Sequence, residues 1–310
     1  MKKLLCILLG ALLLAGCGKS QPEATTAATT QPVTVPADTT TDGVYVLTEQ
    51  VYYDHKDRQS VTMTVSFDDK KLPTSIFMDS GTDITYTLVY GENGLIAGFN
   101  MVRTLYGEET TSSALVNDHG DIISKTADGK NSNMTYSYDQ SGRVIKKETF
   151  TGDNLTSVKT WAYDDQGNLS KASSTNVNGG YTLIYENTYS GTLLTSVHCK
   201  YEGGDTEHTE SFTYDQEGRL TQWSQVVGED TTVINYTYNK QGLVETETTL
   251  LNGQEKNRLE YTYDDSGLLA EKKNYEGGQY QGRTTYSWTS EPVQLTDAQQ
   301  NILKQLGALL

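Results

Sequence analysis

Cysteine is nearly missing from this chain of 310 residues: it has three, against four histidines and five prolines. Each shortage removes a class of answer. Cys6 sits inside an N-terminal apolar run and Cys17 closes it, which leaves Cys199 as the single thiol in the body of the chain and excludes an internal disulfide there. A lone cysteine in a strand-like stretch is expected to be a small buried apolar residue. His198 adjoins it, but neighbours on a strand point to opposite faces. His208 approaches only across a hairpin, so no Cys/His metal or catalytic centre is expected. Positive charge is also short, with 24 Lys and Arg against 40 Asp and Glu and a net charge of −16. That balance excludes a phosphate-backbone partner, so no nucleic acid is expected. No phosphate loop, H-E-x-x-H or G-x-S-x-G occurs, and the acidic pairs never approach a calcium loop. Acidic pairs such as Asp68-Asp69, Asp164-Asp165 and Asp264-Asp265 recur where the chain turns. Recurrence favours turn composition over the two-carboxylate cleft of a glycosidase. The expectation is a protein without cofactor and without enzymatic activity.

Only one long hydrophobic run exists. Lys2 and Lys3 precede Leu4 to Leu14, and LLAGC ends at Cys17. The segment resembles a bacterial lipoprotein signal, in which residues 1–16 are removed and the Cys17 thiol carries a diacylglycerol. Two acyl chains hold a protein to a bilayer far better than one. The resemblance implies a membrane partner through lipid on Cys17 and exposure outside the cytoplasm. Residues 17–43 then follow as a Thr/Ala/Pro-rich tether with almost nothing to bury.

What the chain does have is tyrosine, 21 of them, and repetition. TYSYDQSGRV from Thr135, FTYDQEGRL from Phe212 and YTYDDSGLL from Tyr261 are close variants of one string. The residues before the turns are Phe67, Tyr90, Val116, Tyr138, Tyr163, Tyr189, Tyr214, Tyr238, Tyr263 and Trp288, at a period of about 25. Each unit predicts a β-hairpin with alternating faces. Tyr136, Phe212, Tyr236 and Tyr261 extend the aromatic face two residues upstream of the anchors. Asp139, Asp164, Asp215 and Asp264 supply turn capping, and Gly142, Gly167, Gly218, Gly242 and Gly267 supply the positive φ of a three-residue loop. That register sets Tyr138 opposite Val144 and Tyr214 opposite Leu220, with the Asp139/Arg143 and Asp215/Arg219 pairs on the outer side.

These strings resemble the YD repeats of the RHS family over residues 44–290. The resemblance implies a spiralling strip of antiparallel hairpins. Large members of the family close such a strip into a shell around a C-terminal toxin, but this chain has far fewer units and no toxin-sized extension after Trp288. The fold expected is all-β: tandem antiparallel hairpins forming a long curled sheet whose open end presents an unpaired strand edge. Residues 291–310 predict an amphipathic helix behind the capping-box string Thr296-Asp-Ala-Gln299, one that covers the last hairpin or plugs the opening of the curl. Tyr52, Tyr53, Tyr275 and Tyr280 fall off the register. They are therefore the tyrosines expected to face outward and to meet a ligand, a cell-envelope glycan or another protein.

Overall fold

The aromatic ladder and the strand ladder coincide. The computed structural model describes residues 43–79, 81–204 and 207–309. It contains β1 (Leu47–Asp54), β2 (Gln59–Phe67), β3 (Pro73–Asp79), β4 (Asp83–Tyr90), β5 (Ile96–Leu105), β6 (Glu108–Val116) and β7 (Ile122–Ala127). There follow β8 (Lys130–Tyr138), β9 (Val144–Thr151), β10 (Asn154–Tyr163), β11 (Leu169–Asn176), β12 (Tyr181–Ser190), β13 (Leu193–Tyr201) and β14 (Glu207–Tyr214). The wall is completed by β15 (Leu220–Val227), β16 (Asp230–Tyr238), β17 (Val244–Leu251), β18 (Gln254–Tyr263), β19 (Leu269–Glu276) and β20 (Gln279–Trp288), and α1 (Asp297–Gln305) follows. Every anchor closes an even-numbered strand, apart from Tyr189, which lies one residue short of the end of β12. Residues 1–42, Cys17 among them, lie outside the described residues.

Each strand pairs antiparallel with its sequence neighbours, and β1 pairs with β20 as well as with β2. Across that seam Leu47 faces Trp288, Val51 faces Thr285 and Asp54 faces Gly282. The long curled sheet with a free edge is therefore overturned: the strands form a closed, 20-stranded antiparallel barrel with one short helix. The cause is cumulative. Twist and tilt, summed over many strands, carry the last hairpin back to the first, and closure pairs the two edges that an open strip leaves bare.

One face of each strand points inward. On β8, half-buried Met134, Tyr136 and Tyr138 alternate with exposed Asn133, Thr135 and Ser137. On β14, buried His208, Glu210 and Phe212 alternate with exposed Glu207, Thr209, Ser211 and Thr213. The outward residues of these two strands are all polar. Among the described residues no helix is long and apolar enough to cross a membrane.

The YD turns and both ends of the barrel-forming chain lie at one end of the barrel, called proximal here; the turns from odd to even strands lie at the distal end. Asp139 shows the proximal turn chemistry. Its Oδ1 accepts the amides of Ser141 and Arg143, at 2.9 Å each, while Arg143 Nε donates to Oδ2 at 2.7 Å. Gly142 has φ 75°, which a residue with a Cβ adopts only at a cost. Arg143 also reaches the next unit, its guanidinium 4.1 Å from the centre of the Tyr163 ring. Arg219 does the same over Tyr238 at 4.8 Å.

The anchor tyrosines tie each unit to the one before it. The hydroxyls of Tyr163, Tyr214, Tyr238 and Tyr263 donate to the carbonyls of Val144, Leu194, Leu220 and Val244 at 3.1, 2.7, 2.6 and 2.8 Å. Tyr90 and Tyr189 donate in the same way to Pro73 and Leu169. At the last unit Trp288 Nε1 takes over, donating to the Leu269 carbonyl at 2.8 Å. Tyr138 departs from the series, its hydroxyl donating to Asp121 Oδ2 at 2.9 Å while Tyr136 donates to the Ile122 carbonyl at 3.0 Å.

Two apolar clusters fill parts of the interior. In one, Val293, Leu295, Ile302, Leu303, Leu306 and Leu309 pack against Val46, Leu47, Met63, Ile76, Leu88 and Phe99, with Phe67 and Trp288 at the margin. The helix α1 starts with both halves of the capping box at Thr296 and Gln299. It sits at the proximal end against the turns after β4 and β6, where Gln299 Nε2 donates to the Gly94 carbonyl and Asn301 Nδ2 to that of Gly120. A Cβ on Gly120 would stand 2.4 Å from the Ala298 carbonyl oxygen, so the approach needs glycine. The other cluster joins Ala172, Leu183, Tyr185, Leu194, Val197, Cys199 and Phe212 on β11 to β14.

Candidate functional site

Three of the four off-register tyrosines meet on the outer wall, across the strands that close the ring. Tyr275 on β19 stands opposite Tyr280 on β20. Tyr53 on β1 stands opposite Arg283 on β20. Hence a single patch near the distal end is built from both extremes of the strand order, and only ring closure completes it.

Its geometry is one of stacked planes. The Tyr275 and Tyr280 rings meet edge to face, 5.6 Å apart and inclined by 62°. Arg258 covers the Tyr275 ring and Arg283 the Tyr53 ring, each with its guanidinium carbon 4.4 Å from the ring centre. Carboxylates then hold the cations. Arg283 pairs with Glu271 at 3.1 Å and Asp57 at 3.4 Å, and Arg258 pairs with Glu255 and Glu260. Tyr275 donates its hydroxyl to Glu260 Oε2 at 3.0 Å. Burial pushes the Tyr275 phenol above its ordinary value, with the Glu260 hydrogen bond adding to it, and burial likewise raises Tyr280. The Glu271 hydrogen bond raises the Arg283 guanidinium further. Near neutral pH the phenols stay protonated and the guanidinium charged. The patch offers flat rings, fixed hydroxyls and oriented cations, a chemistry of contact rather than of proton transfer.

Tyr52 is the correction. It stands opposite buried Thr284, its ring crowds the Cα of Gly282, and its hydroxyl lies 3.5 Å from the Gln281 carbonyl. It therefore faces inward, because Tyr52 and Tyr53 are consecutive strand residues and only one of them can face out. Arg258 and Arg283 escaped the sequence reading. The register of β18 against β19 places Arg258 beside Tyr275, but the Tyr53/Arg283 contact crosses the closing seam and has no local signal.

The aromatic and turn residues of the repeats, from Phe67 to Trp288, serve the wall itself. Tyr236 and Tyr261 carry a second feature, since both lie near Glu247 on the inner face. Burial, then Glu247, pushes Tyr236 up to about 12, and Tyr261 donates to Glu247 Oε2 at 3.3 Å.

Cys199 stands directly opposite His208 across β13 and β14. Cys199 is 1% exposed and His208 6%. His208 Nε2 lies 3.6 Å from Glu210 Oε1, and Glu210 Oε2 accepts from Trp223 Nε1 at 3.0 Å. Among the described residues no group of three His, Cys, Asp or Glu side chains is arranged to hold a metal ion.

No protein-family model matches the chain, and no curated protein matches it. Solved structures do show similarity. The chain is similar to part of the crystal structure of TcdB2-TccC3-Cdc42, at 16% identity and a TM-score of 0.42 over 75% of this chain and 14% of that one. It is also similar to part of the Photorhabdus luminescens Tc holotoxin pore carrying a mutated TccC3, at 18% identity and 0.41, again over 14% of that chain. A porin-like protein from Bacteroides uniformis aligns at 14% identity and 0.35, over 78% of this chain and 96% of its own. The chain thus spans about a seventh of the length of the toxin chains it matches.

Proposed function

We propose that this chain is a non-enzymatic binding protein, tethered by lipid on Cys17 and displayed outside the cytoplasm. Its outer-wall patch of Tyr53, Tyr275 and Tyr280 takes a cell-envelope glycan. One observation carries the reading: residues remote in sequence, none needed for the repeat pattern, meet as a tyrosine–arginine surface on the outer wall. Sugar rings present apolar C–H faces and hydroxyls together, which suits rings whose edges carry hydrogen-bonding groups. A closed wall supports the patch rigidly, so little ordering cost falls on binding. Because the Tyr53 and Tyr275 ring faces are partly covered by guanidiniums, their free edges and hydroxyls are the parts left for contact.

The test is binding of the mature protein to its own envelope polymers and to a glycan panel. Tyr53→Ala and Tyr275→Ala are expected to weaken binding about tenfold each, an aromatic-edge contact of roughly 1–1.5 kcal/mol. Binding unchanged in both variants overturns the site. A protein that copurifies from the envelope while all glycans fail supports instead a structural or assembly component.

A further inference from the structure

Several lysines lie within the strands, some on the outer face of the wall and some on the inner. Four strand lysines of the outer face are paired with glutamate: Lys146 with Glu148 at 2.8 Å, Lys171 and Lys200 with Glu186 at 3.2 and 3.1 Å, Lys273 with Glu271 at 3.4 Å. Lys147 on β9 faces inward instead. It stands opposite Tyr136 on β8, its ammonium 5.1 Å from that ring's centre, and opposite Lys159 on β10. Lys125 on β7 lies on the same face, between buried Ala114 and half-buried Ser132. Among the described residues none of these three makes an ion pair.

Like charges set directly across a sheet repel, and burial makes each one costlier. Burial pushes the Lys147 ammonium below its ordinary value, and Lys159 and Lys125 push the same way against Asp121. Asp121 is the one acidic counterweight among these influences. Its carboxylate accepts the Tyr138 hydroxyl, and burial pushes it toward its neutral form. Three cations facing one weakened carboxylate is an imbalance opposite in sign to the net −16 of the whole chain.

Space and access are present at the same place. Lys125 is exposed although it points inward, and it stands close to the distal turn at Asp128–Gly129, whereas α1 sits at the proximal end. Lys159 pairs across β10 and β11 with Ser174. Ser174 lines a cavity of about 160 Å³ together with Ser157, Asn176, Tyr181 and Tyr201.

We propose that this inner-wall patch binds a multivalent oxyanion, a ligand carrying phosphate or carboxylate groups and admitted from the distal end. Lys147 and Lys159 hold the anionic group, Lys125 meets it on the way in, and the hydroxyls and amide of the adjoining cavity take its polar remainder. Lysine ammoniums act as point charges and suit either oxyanion. The site requires neither the outer tyrosine patch nor a glycan.

The experiment is calorimetric titration of the full chain with tripolyphosphate and, separately, with citrate, beside thermal melts. Saturable binding of at least one is expected, with tripolyphosphate alone assigning a phosphate ligand and citrate alone a carboxylate. Lys147→Met and Lys159→Met each weaken it about tenfold, the scale of one lost charged contact, while outer-wall Lys146→Met leaves it unchanged. Without ligand, Lys147→Met melts at or above the temperature of the unaltered protein, because it removes a buried charge and its repulsion. That shows the variant is folded. No saturable binding of either anion, binding unaltered in Lys147→Met, or equal loss in Lys146→Met overturns the proposal.

Discussion

At the scale of single residues, the hydroxyl of the anchor tyrosine separates a repeat that packs from one that locks. Phenylalanine would cover the same apolar neighbours. Tyrosine also closes a bond to the carbonyl that opens an odd strand of the preceding unit, as Tyr214 does to Leu194 at 2.7 Å. Removing one such bond at a half-buried site costs about 1 kcal/mol. Tyr214→Phe is therefore expected to lower unfolding free energy by that amount in urea titration, with the slope unchanged. Trp288→Phe is expected to do more, since it loses the indole bond to Leu269 together with ring area. That tyrosine fills the anchor position was plain in the sequence. Why it is tyrosine was not, because the acceptor lies some 20 residues away on the next strand over.

At the scale of the element, turns and helix carry separate tests. Burial opposes ionisation at Asp139, Asp164 and Asp215, but the amide and side-chain donors within each loop outweigh it and hold these carboxyls below their usual range. At Asp54, on a distal turn, the Arg58 amide and then its side chain hold the carboxyl at about 2. A group with a depressed folded pKa stabilises the fold above its unfolded value and loses that contribution as pH falls toward the folded one. Melting temperature is thus expected to fall as pH is lowered from about 4 toward 2. Asp215→Asn is expected to flatten that limb and to lie below the unaltered protein at neutral pH. Asp121 and Glu247 act in the opposite sense, since burial raises both and protonating them favours the fold. At the helix, Thr296→Ala removes the cap oxygen from the Gln299 amide and costs about 1 kcal/mol. Leu303→Ala empties a fully buried site and costs about 2–5 kcal/mol. Hairpins, loop glycines and the capping box were legible because each is written within a few residues. The seat of α1 was not: its partners Gly94 and Gly120 lie about 200 residues upstream.

At the scale of the whole molecule, closure is a sum over all the strands rather than a property of any one hairpin. A repeat of about 25 residues says that hairpins lie edge to edge, and it is silent on whether their summed twist and tilt return the last to the first. The first strand obscured the answer further. β1 precedes the register, changes its pairing with β2 at Tyr52/Tyr53 and shifts against β20 at Leu47/Glu49. Both the inward turn of Tyr52 and the meeting of Tyr53 with Arg283 follow from that seam. The seam itself can be tested by covalent capture. Val51 and Thr285 are direct partners, and partners on antiparallel strands lie about 4.5–5.5 Å apart at Cα, within the span of a disulfide. With Cys17 replaced by Ser in a chain starting there, Cys199 is the only native thiol, and it is sealed. A Val51→Cys/Thr285→Cys protein is then expected to form an intramolecular bridge under mild oxidation, seen as a monomer of raised mobility on a non-reducing gel. The crosslinked protein should melt higher, since its bridge closes a loop of more than 200 residues and such closure is worth several kcal/mol. An open strip predicts the reverse: the two cysteines lie on opposite free edges, and oxidation links one chain to the next. Disulfide dimers and longer ladders in place of the closed monomer would return the molecule to a curled sheet and dissolve the tyrosine patch with it.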